Sequence, residues 1–164
     1  MRIYLASDLG FTEPGKHYLY NVLIPSFAKA GVTVIDPWKL TDETVLLHAS
    51  SCEHHGERVQ RWKAANRIIG GNNANAIREC DALAAVLDGS DVDSGTAAEI
   101  GFAAALGKKA YGLRTDFRLS ADNEGSRVNL QVEYFIHMNG GRIAGSVDEL
   151  ISAVIEGGAA SNSG

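Results

Sequence analysis

Cysteine is scarce in this chain. Only Cys52 and Cys80 occur, in no CxxC or metal-ligand spacing, so neither a disulfide framework nor a cysteine-built zinc site is expected, and a reducing compartment fits. Basic runs are missing as well: 15 Lys and Arg against 20 Asp and Glu leave a formal net charge of −5. That balance lacks the electrostatic footprint of a protein that grips a polyphosphate chain, so nucleic acid is not an expected partner. No apolar stretch approaches the roughly 20 residues needed to cross a bilayer. The opening Met1-Arg2-Ile3-Tyr4-Leu5-Ala6 enters a strand-like run at once, with no room for a charged n-region, an apolar h-region and a cleavage site. The expectation is a cytoplasmic protein without membrane contact.

What is present is alternation. Five β-type runs, Arg2–Ala6, Val32–Ile35, Ala82–Asp88, Lys109–Leu113 and a weaker Gly141–Ala144, are separated by helical or polar segments, the pattern of parallel βαβ units. The third run is continuously apolar, as a strand covered on both faces should be, and is placed at the centre. The expected fold is α/β, a flavodoxin-like or Rossmann-like doubly wound sheet of mostly parallel strands in the order 2-1-3-4-5, flanked by helices. At 164 residues the chain has the size of one domain, read as residues 1–156. Residues 157–164, rich in Gly, Ala and Ser, are expected to be a disordered tail.

Leu19, Val22, Leu23 and Phe27 keep helical spacing up to Gly31, with Pro25 predicting a kink near Asn21. A buried helix is predicted over 96–106, and a last one over about 147–155. The stretch from Lys39 to about Gly56 is the least regular and reads as a binding or lid loop. It carries His48, Cys52, Glu53, His54 and His55, whose spacing fits no common zinc pattern, so no metal is expected.

The segment with most chemistry is Asp88-Gly89-Ser90-Asp91-Val92-Asp93-Ser94-Gly95-Thr96-Ala97-Ala98-Glu99. It leaves the carboxyl end of the central strand, where open α/β sheets bind ligands, and enters a helix. Asp93 and Glu99 can face one crevice, and a pair of carboxylates flanking a glycosidic bond is the minimum equipment for retaining glycosyl transfer. The same letters allow a bland alternative, since Thr96-x-x-Glu99 is also a capping box whose side chains only satisfy backbone N–H groups. Asp88 and Gly95, in the same turn, are further candidates for ligand contact.

Several ordered pieces carry a resemblance. Ile3-Tyr4-Leu5-Ala6-Ser7, Gly31-x-x-Val34-x-Asp36-Pro37-Trp38, Asn73-Ala74-Asn75-Ala76-Ile77-Arg78-Glu79-Cys80-Asp81, Leu87 through Gly101, Gly112 through Arg118 and Asn129-Leu130-Gln131-Val132-Glu133-Tyr134 together resemble the nucleoside 2-deoxyribosyltransferase family. The resemblance implies that Glu99 is the nucleophile, that Asp93 assists proton transfer at the base, and that Tyr4 lies with its hydroxyl against Glu99. It also implies that Asn129 holds sugar hydroxyls in a neighbouring subunit's site, hence a homo-oligomer, dimer-based and up to a hexamer. Asn73 stands where some members have an aspartate in the base pocket. An amide donates and accepts whereas a carboxylate only accepts, so purine versus pyrimidine preference stays open.

The implied reaction is a double displacement: 2-deoxyribose passes from a 2′-deoxynucleoside to Glu99 as an ester, then to a free purine or pyrimidine base, with the β configuration retained and no cofactor. Phe11 and Trp38 can stack on a base or simply pack. Asp36 can bind substrate or merely open the turn before Pro37. Arg114, Asp116 and Arg118 read as a salt-bridge cluster, and Asp81 as structural. Two alternatives remain: a nucleoside or nucleoside 5′-monophosphate N-glycosidase using the same carboxylates with water as acceptor, and a non-catalytic nucleotide-binding module in which Glu99 is only a cap.

Overall fold

The computed structural model describes residues 1–119 and 121–161. Five parallel strands, β1 (Arg2–Ala6), β2 (Thr33–Ile35), β3 (Ala82–Val86), β4 (Lys109–Leu113) and β5 (Ile143–Ala144), form one sheet in the order β2-β1-β3-β4-β5. This is the doubly wound order expected. Every residue of β3 is buried, which explains its unbroken apolar sequence, because both of its faces are covered.

Side-chain alternation divides the core. Ile3, Leu5, Ala84, Val86 and Leu113 point to one face, where they meet Leu23 and Phe27 together with Leu150 and Val154. Tyr4, Ala6, Leu83, Ala85 and Leu87 point to the other, against Ile77, Ile100, Val132 and Ile136. The helices on the first face are α1 (Glu13–Tyr18), α2 (Ile24–Lys29) and α7 (Val147–Ser161). On the second are α4 (His55–Glu79), α5 (Ser94–Ala105) and α6 (Leu130–Met138).

The kink predicted near Asn21 takes the form of a π-helical turn, Leu19–Leu23, between α1 and α2. Proline cannot donate to the helical ladder and clashes with the turn before it; widening that turn to i→i+5 bonds absorbs Pro25 without breaking the helix.

Two expectations are corrected. The irregular stretch from Lys39 contains α3 (Glu43–Ser50), capped by Asp42 through a 2.8 Å bond from Thr44 N, and α4 already begins at His55. Helix α7 runs to Ser161, so residues 157–161 of the expected disordered tail are helical, and 162–164 lie outside the described residues. Gly157 lets α7 pass close over β4: a Cβ there would stand 1.7 Å from the buried Tyr111 hydroxyl. Among the described residues no helix is long and apolar enough to cross a membrane.

Candidate active site

Helix α5 starts earlier than its sequence suggested. Asp93 is its N-cap, accepting a 2.9 Å bond from Thr96 N, so Glu99 lies in the second turn, too far along to serve the helix start. The capping-box alternative for Glu99 is thereby overturned. The Glu99 carboxylate instead faces the sheet, where Tyr4 from β1 donates its hydroxyl to Oε1 at 2.6 Å and Asn73 from α4 donates Nδ2 to the same oxygen at 3.3 Å. No bond to Oε2 is made among the described residues.

Burial and charge oppose each other here. Burial, the largest effect, and the charge of Asp93 raise the Glu99 carboxyl above its ordinary range, while the Tyr4 and Asn73 donors pull it down. Tyr4 is fully buried, and burial together with the Glu99 charge drives its phenol far above the ordinary value. It therefore stays protonated and remains a donor.

The turn between β3 and α5 is fixed by two reciprocal ties to the exit of β4. Asp88 accepts from Thr115 N at 2.6 Å and Asp116 N at 2.8 Å through Oδ1, and from Thr115 Oγ1 at 2.5 Å through Oδ2. In the opposite direction the buried Arg114 donates Nη1 to Leu87 O at 2.6 Å and Gly89 O at 2.9 Å. Gly89 has φ +128°, a backbone state that side chains rarely tolerate. Asp116 completes the tie, receiving Gly89 N at 3.3 Å and pairing with Arg118. The Arg118 hydrogen bonds hold its carboxyl well below the usual range. The cluster expected of Arg114, Asp116 and Arg118 thus has a purpose: it sets the turn carrying Asp93 and launching Glu99.

The remaining candidates lie at the exits of β1 and β2. Asp36 caps the turn Pro37–Lys39, accepting from Trp38 N at 3.1 Å, and its Oδ2 is buried without a hydrogen-bond partner. Trp38 and Phe11 form an edge-to-face pair with centroids 4.6 Å apart. Only glycine fits beneath that indole, since a Cβ at Gly10 would come within 2.2 Å of it. At Gly95 the space is less restricted, since a Cβ there would stand 3.1 Å from Asp93 Oδ2. Asn129 caps α6, with Oδ1 accepting from Gln131 N and Val132 N, and makes no hydrogen bond to Glu99. Asp81 accepts from Arg2 N at 2.6 Å, a structural bond as expected. His48, Cys52 and the neighbouring histidines do not gather, and among the described residues no group of three or more His, Cys, Asp or Glu could hold a metal ion.

Sequence reasoning missed two things: the contact of Asn73 with the carboxylate itself, and the exchange of ties between Asp88 and Arg114. Both span more than 25 positions, a separation that no local spacing rule reaches.

A doubly wound sheet with a phenol-held carboxylate and a second carboxylate at its carboxyl edge is the α/β architecture in which ligands characteristically bind at the topological switch, here between β1 and β3. Residues 3–131 match the family model described as nucleoside 2-deoxyribosyltransferase, and the chain belongs to that family of enzymes acting on nucleosides. No curated protein matches it. Among solved structures it is similar to a conserved protein from Enterococcus faecalis V583 (22% identity, 95% of this chain and 98% of that one, TM-score 0.68). It is also similar to a 2-deoxyribosyltransferase from Leishmania mexicana (24%, 94% and 97%, TM-score 0.62). A third likeness is to a CMP N-glycosidase from Clostridium botulinum (20%, 94% and 99%, TM-score 0.54). At these identities the likeness is one of fold.

Proposed function

We propose that the chain transfers 2-deoxyribose between nucleobases through an ester on Glu99. The observation that carries this reading is the asymmetry of the Glu99 carboxylate: Oε1 is held by two donors, which leaves Oε2 as the attacking oxygen. In the first step Oε2 bonds to C1′ of a 2′-deoxynucleoside as the C1′–N bond breaks, and the departing base takes its electron pair and a proton delivered by Asp93. In the second, a nitrogen of the incoming base attacks C1′ from the vacated face, the ester bond breaks, the carboxylate is restored and Asp93 takes the acceptor's proton. Asp93 uses Oδ2 as the helix cap and keeps its other oxygen for this exchange. Two inversions at C1′ preserve the β configuration.

Neutral nucleosides suit this edge better than 5′-monophosphates. The strand exits carry Asp8, Asp36, Asp88, Asp91 and Asp93, while Arg114 is committed to backbone carbonyls and Arg118 to Asp116, so an added phosphate would meet mostly negative charge. The Phe11 and Trp38 pair supplies an aromatic wall for the base.

Asn129 is assigned to the sugar hydroxyls of a neighbouring copy. On the same helix Leu130, Tyr134 and Met138 form an exposed stripe, and Phe117 and Leu119 in the preceding loop are 94% and 97% exposed. Apolar exposure on that scale suits an interface between copies.

The test is chromatography of the protein with thymidine or deoxyinosine, with and without adenine. Deoxyadenosine should form only when adenine is present, and Glu99→Ala should lower its formation by at least about a thousandfold. Base release that ignores the acceptor would instead establish a glycosidase, and full transfer by Glu99→Ala would overturn the proposal.

A further inference from the structure

Asn73 lies on the last third of α4, next to Asn72, which anchors the helix by donating Nδ2 to Leu40 O at 3.1 Å and Thr41 Oγ1 at 3.2 Å. The side chain of Asn73 is therefore delivered to Glu99 from a fixed point. Because a carboxylate only accepts, the amide must turn its NH2 toward Oε1, in agreement with the 3.3 Å contact. Among the described residues three polar groups face Glu99: Tyr4 from β1, Asn73 from α4 and Asp93 at the start of its own helix. The other elements packed on this face present apolar groups, Leu83 and Ala85 from β3, Ala110 from β4, and Val132 and Ile136 from α6.

We infer that Asn73 is a positioning residue for Glu99, and that as an amide it holds the carboxylate at every pH, whereas an acid in its place would do so only while protonated. The inference rests on Glu99 being the nucleophile. Two carboxyl groups within contact distance cannot both ionise easily and share one proton over a wide range. In that singly protonated state an aspartic acid at position 73 donates to Glu99 much as the amide does. Once the second proton leaves, the donor is lost and a like charge stands in its place, pushing the carboxylate out of line.

The experiment compares wild type, Asn73→Asp and Asn73→Ala in kcat and KM for transfer between about pH 5 and about pH 9. Asn73→Asp should approach wild type at the acid end and then fall about tenfold per pH unit above a new descending limb, in kcat rather than in the nucleoside KM. Asn73→Ala should be about tenfold or more slower throughout, without that limb. Equal loss at every pH in both variants, or a change confined to the KM of one base, would overturn the inference. A carbon-13 NMR titration of the Glu99 carboxyl, assigned by difference with Glu99→Gln, needs no turnover. It should show one step in wild type and two coupled steps in Asn73→Asp, and a single unchanged step would overturn the inference. Coupled titration with an unmoved kcat profile would overturn the assignment of Glu99 as nucleophile, and the inference with it.

Discussion

Two regions that follow strand exits at the carboxyl edge are built in opposite ways. The exits of β3 and β4 are cross-tied, with the side chain of each strand's exit bonded to the backbone of the other through Asp88 and Arg114. The hairpin of α3 and the first part of α4 has only Ala49 and Ala65 buried between residues 43 and 70. Its polar bonds are internal: Arg58 to Cys52 O and Glu53 O, and Arg61 to His48 O and Glu57. The Glu99 carboxylate sits behind the cross-tied exits, and α4 contributes to it only beyond Asn72, where the helix is anchored. Rigidity in this molecule is local, concentrated where Glu99 is aimed.

The largest effect should come from breaking the tie. Arg114→Met removes a guanidinium that holds two carbonyls of the β3 exit and leaves them short of donors. Bonds to a charged group are worth about 1.5–3 kcal/mol each, so a loss of about 3 kcal/mol or more is expected in urea unfolding, with kcat falling as Asp93 and Glu99 lose their setting. Leu47→Ala in the hairpin, at a side chain already 56% exposed, should stay within about 0.5 kcal/mol of wild type. Equal losses at the two sites would erase the contrast.

A smaller effect with a defined pH window should come from Glu99. Its folded carboxyl is raised above its ordinary value of 4.5, chiefly by burial, so the folded state binds the proton more tightly than the unfolded chain. The stability this provides is fully present below about pH 4.5 and is lost as the pH rises through the raised folded value. Glu99→Gln should therefore match wild type in acid and become the more stable protein toward neutral pH, even as transfer is abolished. Urea midpoints taken across that range check the sign, and a less stable Glu99→Gln at neutral pH would mean that the Tyr4 and Asn73 donors outweigh burial.

The rigid region was the more legible in sequence. Strand alternation and the apolar run of β3 led to the sheet order, and Pro25 to the distortion near Asn21. The hairpin was missed because α3 has only eight residues amid polar, histidine-rich sequence, and because the stripe of Val59, Trp62, Ala65 and Ile69 in α4 runs into Gly70-Gly71-Asn72-Asn73, poor helix-forming sequence. The carboxylate pair was visible from its place after the central strand. That Glu99 meets Tyr4 came from family resemblance, since the two lie 95 positions apart, and spacing alone left a capping box equally open until Asp93 proved to be the cap.

The smallest effect expected lies where the two regions join. Gly70 and Gly71 sit inside α4, immediately before Asn72 and Asn73, and a Cβ at either would meet nothing within 4 Å. No packing requires glycine there, and neither residue has a positive φ. Each costs the helix up to about 1 kcal/mol relative to alanine, through the larger backbone freedom that glycine loses on folding. Gly70→Ala and Gly71→Ala should each raise stability by up to that amount in urea unfolding. If the hairpin is as loosely coupled to the body as its burial indicates, amide exchange should slow from about residue 58 to residue 71 in the double variant, while the ties around Asp88 and Arg114 stay as protected as before. Slower exchange at the β3 exit as well would show that stiffening α4 reaches the site, and that the two regions are one mechanical unit.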